Sequence, residues 1–109
     1  GATIPREILD LNLQIAKNLV ECARYLNMSL EMLGVDTSKA KELTLKVDAC
    51  EGVIDGEYLK LKIVFIKAAS DINAPTLMIL KDLADAMEQA SDLCDDTADY
   101  IRTLAITET

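Results

Sequence analysis

Histidine is absent from this chain, and its absence disfavours several kinds of active site. General acid–base catalysis near neutral pH relies on histidine more often than on any other side chain. A redox di-iron site in a helical bundle needs a Glu-x-x-His pattern, and a catalytic zinc site usually needs histidine ligands. The sequence also has no glycine-rich phosphate loop and no nucleophile elbow. It therefore predicts a protein that is not an enzyme.

Basic residues are few as well: 11 Lys and Arg stand against 19 Asp and Glu, which gives a net charge of −8. Proteins that bind nucleic acids need a basic surface, so no nucleic-acid partner is predicted. Direct binding of free phosphate or of an anionic membrane surface is disfavoured for the same electrostatic reason.

The chain carries three cysteines, an odd number that does not suit the disulfide framework of a secreted domain. No apolar run reaches the ~20 residues of a membrane-spanning helix, and no signal peptide is recognised. The sequence begins GAT rather than with Met, which indicates a tag remnant or a domain excised from a longer protein. We expect a cytoplasmic protein with no transmembrane segment.

Aliphatic residues supply the core. Half of the residues are hydrophobic although aromatics make up only 4%. Apolar residues recur at helical spacing in three segments, separated by Gly34 and by the turn DINAP (71–75), with Asp36 and Asn73 among the candidate caps. The predicted helices span residues 5–33, 38–69 and 74–105. We predict one all-α domain, residues 1–109, built as an antiparallel bundle of three long helices.

One segment, VIDGEYLKLKIVFI (53–66), carries a competing signal. Its Asp-Gly pair lies between apolar runs and residues 59–63 alternate, which is typical of a β-hairpin. The upstream residues DACEG offer no alternating partner strand, and the apolar stripe continues in phase across the glycines, so we predict a continuous helix. Gly52 and Gly56 each cost about 1 kcal/mol relative to Ala inside a helix. They indicate either the close approach of another helix or a local kink.

Carboxylates form rows beside the apolar stripes of the second and third predicted helices. The third helix carries Asp85, Glu88, Asp92, Asp95 and Asp99, and the second carries Asp48, Glu51 and Asp55. Steps of three and four place each row on one helix face, and an antiparallel pair of helices would bring the rows together. Each like-charge pair at this spacing costs about 0.2–0.5 kcal/mol, so the acids between 82 and 99 cost roughly 1.5–3.5 kcal/mol.

A bound multivalent cation would turn this repulsion into attraction. With carboxylate oxygens as ligands, the favoured metal cations are hard ones: Mg, Ca, Mn or ferric iron. Two alternatives stay open, because the acids can remain hydrated and keep the protein soluble, or can form ordinary ion pairs. The lysines nearby are Lys39, Lys46, Lys60 and Lys62. Lys81 and Arg102 are expected to relieve only the ends of the row on the third helix.

Cys22, Cys50 and Cys94 lie one per predicted helix, each on its apolar stripe. A buried free cysteine behaves as a small hydrophobic residue. A thiolate metal site would need paired spacing such as C-x-x-C, which the sequence lacks. We therefore expect three structural thiols.

Two short motifs carry a resemblance to a known family. EGVID (51–55) and EQASD (88–92) both fit the E/D-x-x-x-D motif of PhoU-like proteins. The segment MEQASDLCDDTADYIRTLAI (87–106) resembles the closing helix of PhoU-like accessory proteins encoded beside Pit-type phosphate transporters. The opening IPREI and the long helix after it resemble the start of that family's second half. The resemblance spans nearly the whole chain.

The resemblance implies one three-helix PhoU-like repeat, where family members usually carry two. It also implies a bound metal cluster, because some members hold multinuclear clusters through these motifs. The implied ligands are Glu51, Asp55, Glu88, Asp92, Asp95 and Asp99, to which helical geometry adds Asp48 and Asp96. The implied role is a non-catalytic one, regulation of phosphate uptake through contact with a phosphate transporter or a sensor protein.

Two other functions remain open at this point. One is a purely structural bundle that binds no metal and forms a homodimer through its apolar flank, restoring a six-helix assembly. The other is a regulatory domain of an ion channel or of a different transporter, since PhoU-like repeats occur in several contexts.

Overall fold

The computed structural model describes residues 4–107, which form three long helices. α1 spans Arg6–Met32, α2 spans Thr37–Ala68 and α3 spans Ala74–Thr107, and a short 3-10 turn, Ala69–Asp71, follows α2. Consecutive helices run antiparallel in a bundle that measures 56 × 18 × 17 Å. The predicted all-α fold is confirmed, and each helix begins and ends within two residues of its predicted bounds. None of these helices is both long enough and apolar enough to cross a membrane.

Side-chain caps start α2 and α3 at the predicted places. The Asp36 carboxylate accepts a hydrogen bond from the Lys39 N–H at 3.0 Å, and the Asn73 side-chain oxygen accepts one from the Thr76 N–H at 2.9 Å. Each cap satisfies one of the backbone donors that the first turn of a helix leaves without an intrahelical acceptor. The local sequence therefore decides where two of the three helices begin.

The core changes character along the bundle. At one end it is filled by large aliphatic side chains, among them Ile8, Ile15, Ile54 and Leu61. At the other end many buried residues are small, including Ser29, Ala40, Thr44, Ala98 and Ala105. The Ser29 and Thr44 hydroxyls donate to backbone carbonyls of their own helices at 2.7 and 2.6 Å, so their burial leaves no hydrogen-bond donor unpaired.

Polar contacts between neighbouring helices fix their relative heights. Asn18 of α1 donates a hydrogen bond to the Glu57 carboxylate of α2 at 2.6 Å. One residue further along α2, the Tyr58 hydroxyl donates to the Asp85 carboxylate of α3. The Cys22 thiol of α1 also lies close to Cys50 of α2 and Cys94 of α3, which places these three residues at about the same level of the bundle.

The hairpin alternative for residues 53–66 is not realised, because α2 continues as an α-helix from Thr37 to Ala68. Gly52 and Gly56 are both exposed on this helix, and a Cβ built at either position meets no atom within 4 Å. Within the described residues, no other helix makes the close approach that these glycines indicated.

The three cysteines occupy the apolar interior, as expected. Cys22 is fully buried, and Cys50 and Cys94 are half-buried against the same core cluster. All three are free thiols. Burial raises the pKa of the Cys22 thiol to about 12, and the neighbouring Cys50 adds to the shift. A thiol held in its neutral form is a packing residue rather than a nucleophile.

Replacement of Gly52 or Gly56 by Ala is expected to raise the free energy of unfolding by about 1 kcal/mol each, because alanine loses less backbone entropy in a helix. Open space surrounds both positions, so the added methyl group causes no clash. Urea denaturation measures the change. Gly34→Ala, in the turn after α1, is the matched control and should have a smaller effect. A loss of stability for Gly52→Ala or Gly56→Ala would contradict the open environment.

Candidate metal centre

The acids of α2 and α3 meet along the boundary between the two helices, which we call the acidic seam. It contains two groups of three carboxylates, and within each group one ligand oxygen per residue lies within 4.8 Å of the others. The Glu51 group consists of Glu51, Asp55 and Asp92, and the Asp95 group consists of Asp48, Asp95 and Asp99. Each group takes residues from both helices, so the seam is a product of the tertiary fold.

Not all of the six ligand residues implied by the resemblance belong to these two groups. Five of them belong to the two groups, whereas Glu88 lies beside the Glu51 group without joining it. Burial and a hydrogen bond with Asp92 raise the pKa of Glu88 above its usual range. Of the two acids added from helical geometry, Asp48 completes the Asp95 group, and Asp96 is exposed outside both groups.

Arg102 provides a counter-ion inside the Asp95 group. On α3 it pairs only with Asp99, the last acid of the row, as expected, but it also crosses to Asp48 of α2. Its Nη2 lies 2.6 Å from Asp48 Oδ2 and its Nη1 lies 3.1 Å from Asp99 Oδ1. Its Nε donates to the Thr44 hydroxyl oxygen at 3.1 Å. The guanidinium thus uses its planar set of donors to tie α3 to α2.

The Glu51 group has no such partner. None of the ion pairs among the described residues involves Glu51, Asp55 or Asp92. Three of the lysines that were candidates for crossing to the acids contact other residues instead. Lys39 pairs with Glu42 on its own helix, Lys46 lies over the Tyr25 ring and Lys62 lies over the Tyr58 ring.

Crowding and burial shift the acids towards their protonated forms. Burial, together with a hydrogen bond to Asp55 and the charges of nearby acids, raises the pKa of Glu51 to about 8. A hydrogen bond shared with Asp48, burial and the charge of Asp99 raise the pKa of Asp95 to about 7, although Arg102 opposes the shift. Near neutral pH, bound protons therefore neutralise part of the negative charge of the seam.

The oxygen atoms of the seam suit a hard cation. Asp48 Oδ1 and Asp95 Oδ1 are buried and have no hydrogen-bond partner unless one of the two carboxylates carries a proton. A buried carboxylate oxygen without a donor is energetically costly, and a proton or a cation removes the cost. Carboxylate-only ligation fits Mg²⁺, Ca²⁺, Mn²⁺ or ferric iron rather than zinc or copper.

Two members of the seam were not among the expected site residues. Arg102 continues the three-and-four spacing of the acids on α3, since it follows Asp99 by three residues. That spacing was a usable signal, because it places the guanidinium on the same helix face as the carboxylates. Tyr58 carries no comparable signal, and only the packed helices bring its hydroxyl to Asp85.

In comparisons with known proteins, no family model, curated protein or solved structure matches this chain. The resemblance to PhoU-like proteins therefore rests on the motifs of the sequence and stays a prediction.

Without added cations, the protein is expected to lose stability as the pH rises from about 5 to 8.5. The pKa values of Glu51 and Asp95 are raised by folding from 4.5 and 3.8 to about 8 and about 7. The folded state then binds protons more tightly than the unfolded state, so this contribution is complete below the unfolded pKa values and lost as the pH passes 7 to 8. Urea denaturation across this pH range measures the slope.

Glu51→Gln or Asp95→Asn should flatten that slope and stabilise the protein at pH 8.5 by about 1–2 kcal/mol, a value reduced for partial solvent screening. Glu42→Gln changes an exposed acid on α2 and is the matched control. If all three variants showed the same pH slope as the unmodified chain, the carboxylates of the seam would not be the source of the pH dependence.

Arg102→Gln is expected to reduce the free energy of unfolding by about 1.5–3 kcal/mol at pH 8, because it removes charge-assisted hydrogen bonds and leaves two acids uncompensated. Arg6→Gln is the control, since Arg6 forms an exposed pair with Asp10 in which the side chains are 76% and 58% accessible. Exposed pairs contribute about 0–1 kcal/mol. Equal losses for the two variants would mean that Arg102 adds no more than a surface ion pair.

Proposed function

We propose that this chain is a non-catalytic regulatory module of phosphate transport that binds metal cations through the acidic seam. The observation that carries the proposal is the Glu51 group. Three carboxylate oxygens from two helices lie within 4.8 Å of one another, and no described basic residue forms an ion pair with any of them. Such a cluster of uncompensated anions has a strong electrostatic affinity for a multivalent cation.

Glu51 and Asp55 of α2 and Asp92 of α3 would hold the cation, and the Asp95 group offers adjacent oxygens. The bound cation supplies positive charge at an otherwise anionic surface. Glu51 releases its proton when it becomes a ligand, since ligating carboxylates must be ionised. Arg102 keeps α2 and α3 tied together beside the site, so the ligands of the two helices stay in register.

The regulatory role follows from charge and from the resemblance together. A net charge of −8 prevents the bare chain from attracting phosphate or an acidic surface. Cations in the seam would give it a local surface for phosphate or for a partner protein. The motifs EGVID and EQASD resemble those of PhoU-like accessory proteins, which supports a phosphate transporter or a sensor protein as that partner.

A purely structural bundle is the second candidate function. The exposed apolar side chains favour it, because Val20, Leu93 and Ile66 are 66%, 66% and 78% accessible. In that case the seam acids are neutralised by protons and by Arg102 alone, and no metal is bound. A regulatory domain of another transporter or of an ion channel would have the same cation site. Cation binding therefore distinguishes a regulatory module of either kind from a purely structural bundle.

Adding Mn²⁺ to metal-free protein at pH 7.5 is expected to raise the melting midpoint by roughly 10–20 °C at a hundredfold excess over the dissociation constant. The stabilisation expected at that excess is about 2.7 kcal/mol, and a domain of this size shifts by about 4–8 °C per kcal/mol. Thermal melts with Mg²⁺, Ca²⁺ and Fe³⁺ rank the cations by their effect on the melting midpoint, and elemental analysis counts the ions bound.

Equilibrium dialysis of the Mn²⁺-loaded protein should also show phosphate binding that the metal-free protein lacks.

Glu51→Gln, Asp55→Asn and Asp92→Asn, combined in one chain, should abolish the shift. Asp10→Asn, Glu42→Gln and Asp71→Asn remove the same number of charges from exposed positions and should leave it intact. Sodium chloride at matched ionic strength corrects for general screening. The cation site is ruled out if every added metal moves the midpoint no further than sodium chloride does.

A further inference from the structure

A cavity of about 320 Å³ lies between α2 and α3, at the end of the bundle near the turn that connects them. Its volume is at the lower end of the range for small-molecule sites, about 300–1,000 Å³. Apolar side chains form most of its wall: Leu61, Phe65, Ile66, Ala69, Leu77 and Ala84. We call this cavity the Phe65 pocket.

Two alanines keep the Phe65 pocket open. Ala69 directly follows α2, and Ala84 lies on the core side of α3, where it is almost fully buried. Both line the same cavity as the larger side chains of Leu61 and Phe65. A larger side chain at either alanine would extend into this space, so the cavity follows from methyl-sized residues at these two positions.

Aromatic residues are concentrated at the Phe65 pocket. The chain has three tyrosines, one phenylalanine and no tryptophan, and both Tyr58 and Phe65 line the pocket. Aromatic and aliphatic walls with a few polar groups are typical of sites for small apolar molecules. At the rim Ile66 is 78% accessible, so a bound apolar group would cover surface that the described part of the chain leaves exposed.

Three of the lining residues are charged: Lys62, Lys81 and Asp85. Lys81 Nζ lies 3.2 Å from Asp85 Oδ2, and the Tyr58 hydroxyl donates to the same carboxylate, so Asp85 already has its partners. Lys62 Nζ lies 4.7 Å from the centroid of the Tyr58 ring and belongs to none of the ion pairs among the described residues. The pocket therefore has one ammonium group that is not paired with a carboxylate.

We propose that the Phe65 pocket binds a small amphipathic monoanion, an alkyl carboxylate of medium chain length, with its carboxylate on Lys62 and its alkyl chain along Phe65 and Leu77. A lysine ammonium has three hydrogen-bond donors, and Lys81 uses one of them on Asp85, so it can contribute a second contact to the ligand. Two ammonium groups against one carboxylate favour an anionic head group and oppose a cationic one. Glu88 lies near Tyr58, but its raised pKa reduces the charge that it sets against an anion.

The polarity of the Phe65 pocket matches that of an alkyl carboxylate. Both ammonium groups lie at its Tyr58 end, because one contacts the Tyr58 ring and the other contacts Asp85. The pocket extends from there to Ala69, roughly 16 Å along the chain direction of α2, and its far end is apolar. A ligand with a charged group at one end and hydrocarbon at the other therefore has one favoured orientation.

The Phe65 pocket is separate from the candidate cation site. Its lining residues all follow Asp55 on α2 and precede Asp92 on α3, so it shares no residue with the Glu51 group. The proposal therefore does not depend on cation binding at the acidic seam, and metal-free protein is the right material for its test.

Amide chemical shifts of the full chain, followed by NMR during titration with decanoate at pH 7.5, are the first test. Decanoate should bind with a dissociation constant of about 1 mM or lower and shift amides of the residues that line the pocket. Octanoate should bind about 15-fold more weakly, since each CH₂ group contributes about fourfold in affinity. Decyltrimethylammonium has the same alkyl chain with a cationic head group and should bind at least about tenfold more weakly than decanoate.

Variants of exposed residues test the two ends of the pocket. Lys62→Glu should weaken decanoate binding about tenfold or more and strengthen binding of decyltrimethylammonium, whereas Lys60→Glu, outside the lining, should change either less than about threefold. Ile66→Glu should weaken decanoate binding about tenfold, and Leu59→Glu, which is also exposed but outside the lining, is its control. Circular dichroism confirms that each variant keeps its helices.

Three results would overturn the proposal. The first is the absence of shifts at the pocket with decanoate up to about 10 mM, well above the expected dissociation constant. The second is equal affinity for decanoate and decyltrimethylammonium, which would mean that the lysines do not select the head group. The third is an equal loss of decanoate affinity in Lys62→Glu and Lys60→Glu, which would place the anion outside the pocket.

Discussion

Electrostatic crowding between α2 and α3 is the constraint on which the site depends. The acids of both helices stand one residue after buried apolar positions, for example Asp48 after Val47 and Asp99 after Ala98. Packing the apolar stripes against each other therefore brings the two rows of carboxylates together. The hydrophobic contribution from the core stabilises an arrangement that the charges alone oppose.

The chain compensates this crowding differently along the length of the seam. At one end Asp85 accepts hydrogen bonds from Tyr58 and Lys81, which lower its pKa. At the other end Arg102 bridges Asp48 and Asp99. The Glu51 group, between these ends, has neither, and Glu51, whose pKa is raised to about 8, holds a proton near neutral pH instead. A bound cation therefore adds most to stability in the middle of the seam. There it replaces a proton, whereas at the Asp95 group it would compete with the guanidinium of Arg102.

α3 takes part in two distinct surfaces. One of its flanks contributes acids to the seam with α2, and the opposite flank contributes leucines to the groove with α1. α3 is apolar on its core side and on the flank towards α1, and it is acidic on the flank towards α2. The two surfaces are therefore separate.

The sequence alone was sufficient for the secondary structure and for much of the candidate site. Caps at Asp36 and Asn73, a helix that continues through Gly52 and Gly56, and acid rows on α2 and α3 are local features. They depend on spacing within one segment of chain, and helical periodicity decides which residues share a face.

The tertiary structure alone decided which acids meet and which find a partner. Spacing within a helix does not determine how far one helix slides along another, and that displacement follows from core packing and from the length of the turns. It sets Asp48 beside Asp95 and Glu51 beside Asp92, leaves Glu88 and Asp96 outside, and carries Arg102 to Asp48. A shift of one helical turn, about 5.4 Å, would regroup every carboxylate without changing a single residue.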